Sequence, residues 1–192
     1  MYEFFKRPIE FLLAAILLIV LFPIGLIISA IIAATSLGPV IYTQKRSGRG
    51  ESDFPIYKFR TMEVDAEKSG PQWSSANDKR VTGFGKILRK IHLDELPQLI
   101  NILRGELSFV GPRPERPEFV SQLKKDVPYF ELRLLVRPGI TGWAQINYKY
   151  GSSVEDAYEK LQYDLYYLKN RSLTLDFLIL LRTIKYLFAT TK

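Results

Sequence analysis

Residues 11–34 read FLLAAILLIVLFPIGLIISAIIAA, and the class of the protein turns on them. Of these 24 residues 21 are apolar, the exceptions being Pro23, Gly25 and Ser29, and no charge appears from Phe11 to Gln44. A run of this length matches the ~20 residues that cross bilayer hydrocarbon. A secretory signal has an apolar core of only ~7–15 residues followed by a small-residue cleavage site, and no such site follows here. Residues 1–38 are therefore set apart as a membrane segment, and residues 39–192 as a separate domain.

Pro23 falls in the middle of the run. It has no N–H, leaves the Ile19 carbonyl without its helical partner and crowds the preceding turn, so a break into two half-helices is expected. Each half, 11–22 and 24–36, measures about 18–20 Å, short of the roughly 30 Å hydrocarbon core. Lys6 and Arg7 precede the run and Lys45, Arg46 and Arg49 follow it. A hairpin returning to the cytoplasmic side satisfies the positive-inside tendency at both ends. A kinked helix crossing once accommodates the same residues.

Working outward, 192 residues make one domain with its appendage and exclude two large globular units. With no cysteine and one histidine, His92, the chain cannot form disulfides, thiolate nucleophiles, or zinc sites and triads built on Cys or His. Covalent chemistry falls to oxygen or lysine. Lys and Arg total 27 against 20 acids, a net charge of +7 that favours an anionic partner.

Gly38-Pro39 ends the apolar run, and residues 40–43 form a short strand turned by Ser47-Gly48-Arg49-Gly50 into a return strand over 54–62. Period two then puts Ile56, Lys58 and Arg60 on one face. A polar loop with Gly70-Pro71 and Ser74-Ser75 leads to Thr82, which caps a helix carrying Phe84, Ile87, Leu88 and Ile91. The spacing of Leu96, Leu99, Ile100 and Leu103 predicts a helix over 93–103 that stops at Gly105. Asp94 and Glu95 fall at its N-terminus, where backbone N–H groups favour a carboxylate as ligand or nucleophile, and where capping alone explains an acid equally well.

Three prolines stiffen Gly111-Pro112-Arg113-Pro114-Glu115-Arg116-Pro117, and Arg137-Pro138-Gly139 is a second rigid loop. An arginine on a stiffened backbone suits bidentate phosphate binding or pairing with an acid. Ser152 and Glu155 have capping-box spacing before a helix through Leu168, which places Asp164 on the buried face, ion-paired or in a site. Residues 173–188 form an apolar helix too charged to span comfortably and suited to interfacial docking.

The runs IYKFRTM (56–62), LDELPQLINILRGELSFVGPRPE (93–115), VRPGITGWAQIN (136–147) and YDLYYLKNRSLTLD (163–176) stand in this order behind an apolar segment. Together they resemble the bacterial sugar transferases known as monotopic phosphoglycosyl transferases, over nearly the whole chain. The resemblance implies an α+β fold: a mainly helical membrane-associated domain with a small β-hairpin, an N-terminal re-entrant membrane helix and interfacial amphipathic helices. It implies transfer of a phosphosugar from a nucleoside diphosphate sugar, usually a UDP-sugar, to polyprenyl (undecaprenyl) phosphate, with release of UMP, as the first membrane step of surface-glycan assembly.

On the same ground Asp94 is expected as the covalent nucleophile and Glu95 as the residue that helps hold Mg2+. Lys58, Arg60, Arg113 and Arg137 are expected along the donor's diphosphate, with Asp164 as partner to one of these arginines. The location implied is the cytoplasmic face of the bacterial inner membrane, with membrane lipids as partners and a homodimer admitted. Some members carry Ser-Pro at the helix break, where this chain has Phe22-Pro23, and longer members have further transmembrane helices and a domain ahead of this core. A non-catalytic membrane-anchored module binding anionic lipid or nucleotide explains the composition but not the four motifs. A nucleic-acid partner is not expected, because the cations sit on Pro/Gly loops instead of an aromatic-interleaved basic stripe.

Overall fold

A computed structural model describes residues 2–66, 68, 70, 78–148 and 153–189, with side chains described through residue 185. Pro71, Ser74, Ser75 and Ser152 lie outside the described residues. The described chain is mostly helical, with two small sheets and one long apolar helix at its start.

That helix, α1, runs Tyr2–Thr35 with Pro8 and Pro23 inside it. The two halves expected around Pro23 are joined into one helix that begins nine residues earlier than the apolar run. Tertiary packing accounts for both differences, because helix stability in proteins comes mainly from a buried face. Ala14 is buried among Phe54, Ile56, Leu99, Ile102 and Leu107, and Ile28 and Ile32 are buried with Phe59 and Leu88. The first turns are fixed by polar groups. Buried Lys6 donates to the Val110 carbonyl at 2.8 Å and lies 2.9 Å from Asp176 Oδ2, while Arg7 donates to the Ile102 and Leu103 carbonyls. Contact with the domain therefore extends from Lys6 to Ile32, about 39 Å along the helix axis. The opposite side leaves Phe4, Leu12, Ile16, Ile19, Val20 and Phe22 exposed.

Strands β1 (Ile41–Ser47) and β2 (Asp53–Phe59) form the expected antiparallel hairpin, with Ile41 opposite Phe59 and Ser47 opposite Asp53. Helix α2 spans Gly83–Lys90, and the Thr82 hydroxyl accepts from the Gly85 N–H as its cap. Only part of its apolar face is covered, since Leu88 is buried while Ile87 and Ile91 are exposed. The helix expected over 93–103 is shorter. A 3-10 turn occupies Leu93–Glu95 and α3 runs Gln98–Arg104, closed by Gly105 in the left-handed region. Asp94 and Glu95 thus sit on the turn and not on the helix itself.

A second sheet had no sequence signal: β3 (Ser108–Val110) pairs in parallel with β4 (Gly139–Thr141). Between them lie α4 (Pro117–Asp126) and a 3-10 turn over Phe130–Leu135. Helix α5 (Trp143–Asn147) leads to α6 (Val154–Asn170), whose capping box is made by Ser153 and Asp156. The box is one residue later than expected. Helix α7 (Leu173–Ala189) buries Asp176 and Ile179 and exposes Phe177, Leu181 and Ile184.

Candidate active site

Phe54, Ile56 and Lys58 alternate along β2 and share one face, with the first two buried in the core. The strand's register against α3 is set by Asn101, which is fully buried. Its Oδ1 accepts from the Tyr57 N–H at 3.1 Å, and its Nδ2 donates to the Pro55 carbonyl and to Glu106, each at 2.7 Å. These bonds satisfy the edge of β2 that β1 leaves open. Lys58 is thereby brought to the 93–95 turn, where its Nζ donates to Glu95 Oε1 at 2.6 Å.

His92 precedes that turn in the left-handed region, at φ 55°. Its contribution is a backbone reversal between α2 and α3, a conformation that an ordinary residue adopts only where its surroundings enforce it. On either side of the two acids, Leu93 and Leu96 pack with Ile28 and Ile32 of α1. The carboxylates are consequently fastened to the apolar helix.

Asp94 is buried. Burial raises its pKa, against the pull of Lys58, and Glu95 adds to the rise while Arg89 opposes it. Burial also works against ionising Glu95, but Lys58 and Arg113 outweigh it and hold that carboxyl far below the usual range. Arg113 Nη2 stands 3.4 Å from the Glu95 Oε1 that Lys58 already contacts. The turn therefore holds one firmly ionised carboxylate bridging two cations and, beside it, one desolvated carboxylate. Desolvation makes an oxyanion a stronger nucleophile.

Of the residues expected at the site, Asp94, Glu95, Lys58 and Arg113 come together. The others are placed elsewhere. Arg60 is buried and donates to the Ser36 and Pro39 carbonyls, capping the chain where it leaves α1. Arg137 is ion-paired with Glu3 at 2.7 Å beside Lys6, Tyr167 and Arg171. Asp164 is 2% exposed and holds Arg133. Arg89 and Arg133 carried no sequence signal as site residues, because their partners Thr61 and Asp164 lie 28 and 31 residues away.

Among the described residues no three His, Cys, Asp or Glu side chains gather as a metal cage. Adjacent carboxylates on Asp94 and Glu95 nevertheless fit magnesium, which binds through one or two carboxylates and completes its shell with substrate phosphates and water.

The family model described as bacterial sugar transferase matches residues 1–190. The UDP-N-acetylgalactosamine-undecaprenyl-phosphate N-acetylgalactosaminephosphotransferase of Aeromonas hydrophila is 44% identical over 96% of this chain and 44% of that protein. The UDP-glucose:undecaprenyl-phosphate glucose-1-phosphate transferase of Xanthomonas campestris pv. campestris is 41% identical over 90% of this chain and 36% of its own length. Its counterpart in Klebsiella pneumoniae is 39% identical, over 94% and 39% respectively. The chain thus spans less than half the length of each of these three relatives.

Proposed function

Since the chain belongs to the bacterial sugar transferase family, we propose that it moves a sugar 1-phosphate from a nucleoside diphosphate sugar, a UDP-sugar as in the relatives' names, to polyprenyl phosphate. The observation that carries this reading is the buried Asp94 beside Glu95, Lys58 and Arg113, with flanking leucines packed on the apolar helix. A carboxylate nucleophile so placed meets a water-soluble donor and a lipid acceptor in turn.

In the first half-reaction an Asp94 carboxylate oxygen attacks the phosphorus that bears the sugar. The bond from that phosphorus to the bridging oxygen breaks, and the nucleoside monophosphate leaves with the electron pair. In the second, a phosphate oxygen of the lipid attacks the same phosphorus, the Asp94–phosphorus bond breaks, and the carboxylate is restored. Lys58 and Arg113 offset charge on the donor's phosphates. Glu95 would help hold magnesium, which would supply neutralisation of the diphosphate.

The way α1 packs supports a topology. Both its ends rest on one folded body, at Lys6 and at Ile32. A helix crossing the bilayer would hold these ends on opposite faces, so contact at both supports a segment whose two ends lie together on the cytoplasmic side of the inner membrane. Apolar side chains left outside on α1 and α7 support lipid contact along the domain.

Incubation with a labelled UDP-sugar and no lipid tests the covalent step. Wild type should release UMP and retain labelled phosphosugar, while Asp94→Asn should do neither. A labelled adduct on Asp94→Asn would sink the assignment.

A further inference from the structure

The loop that presents Arg113 is short of hydrogen-bond donors of its own, because Pro112, Pro114 and Pro117 have no N–H. It is held instead by its carbonyls. Those of four successive residues each accept from outside the loop: Pro112 from the Gly139 N–H, Arg113 from Arg133 Nη2, Pro114 from Arg46 Nη1 and Glu115 from the Ser47 N–H. The bond to Arg113 itself is 2.9 Å long and comes from an arginine that is itself clamped. Nε and Nη2 of Arg133 both lie 2.9 Å from Asp164 Oδ2, and its guanidinium is 5.0 Å from the centre of the Phe130 ring. Arg133 and Asp164 are buried, at 7% and 2% exposure, so neither meets substrate.

We propose that Arg133, anchored by Asp164, is a positioning residue: it fixes the Arg113 backbone and so sets the direction from which the Arg113 guanidinium reaches Glu95. The proposal rests on the reading of Asp94, Glu95, Lys58 and Arg113 as the reacting site. Helix α6 thereby acts on the site through two side chains and one carbonyl, without contributing an atom to it.

The paired substitution Arg133→Met with Asp164→Leu tests this, because replacing a buried ion pair by apolar groups of similar size is often neutral or stabilising. The variant should keep the wild-type Tm within a few degrees and lose about 10- to 100-fold in kcat/KM for the UDP-sugar. In an Arg113→Lys background the same pair should cause almost no further loss, since the two changes act through one group. Hydrogen exchange should quicken at the amides of residues 111, 113, 115 and 116 and stay unchanged in α2 and α3. Unaltered kcat/KM with unaltered exchange, or a loss that multiplies with that of Arg113→Lys, overturns the proposal. Wild type that releases no UMP from any UDP-sugar would reject the reading of the site, while the exchange comparison would still decide the clamp. Should the pair fail to fold, Arg133→Lys, which keeps the ion pair and loses the planar fork, is scored in the same way.

Discussion

Asp94 bears the cost of its own position. Its pKa is raised in the folded chain, by burial first, so the folded state holds this proton to a higher pH than the unfolded chain does. Ionisation then lowers stability as pH rises from the ordinary carboxylate range through the raised value, and the loss persists at neutral pH. Asp94→Asn should therefore melt on the order of 2 °C above wild type at pH 7 and lose that advantage below pH 4, as followed by thermal unfolding in detergent. A Tm lowered at pH 7 would reject the account. Glu95 has the opposite sign: its depressed pKa contributes stability that is complete above the ordinary carboxylate range, falls progressively as pH drops through that range and is gone only in strong acid. The two neighbours were legible as a pair from sequence, and so were Lys58 and Arg113. What sequence did not carry was the opposite shift of their two carboxyl groups, which depends on Lys58 and Arg113 both reaching one Glu95 oxygen.

Among the elements, the connection from α1 to β1 shows how a cation read as a ligand becomes a cap. Arg60 stands just past β2, and its guanidinium satisfies carbonyls that the end of α1 and the following turn leave open. Gly38 makes room for it, at φ 109°, and a Cβ there would come within 2.6 Å of Arg60 Nη1 and 3.0 Å of Val64 Cγ2. Gly38→Ala should therefore destabilise by about 1–3 kcal/mol in denaturant unfolding, from backbone strain and a displaced cap. An unchanged midpoint would show that the cap does not hold this corner. The hairpin, α2, α6 and α7 were legible because periodicity, turn glycines and caps are local signals. The pairing of β3 with β4 was not, since three-residue strands carry no period and their partners are 31 residues apart. Nor was the continuity of α1 through Pro23, which packing at both ends outweighs.

Across the whole molecule the first helix and the last meet. Lys6, Tyr2, Tyr167 and Asp176 form one buried polar cluster that also reaches the Val110 carbonyl, immediately before the loop of Arg113. With both ends of α1 on the same body, single cysteines at Phe4→Cys and Arg49→Cys should resist an impermeant thiol reagent in intact cells and react after permeabilisation. Labelling of the first alone in intact cells would show a crossing helix. The cluster has a further consequence for biogenesis. Lys6 leaves the ribosome 170 residues before Asp176, an interval of roughly 10–30 s at bacterial rates of elongation. Throughout it the apolar helix lacks the partners that later bury its first turns. The nascent helix is therefore open to lipid or to an insertion machinery long before the rest of the chain can close over it.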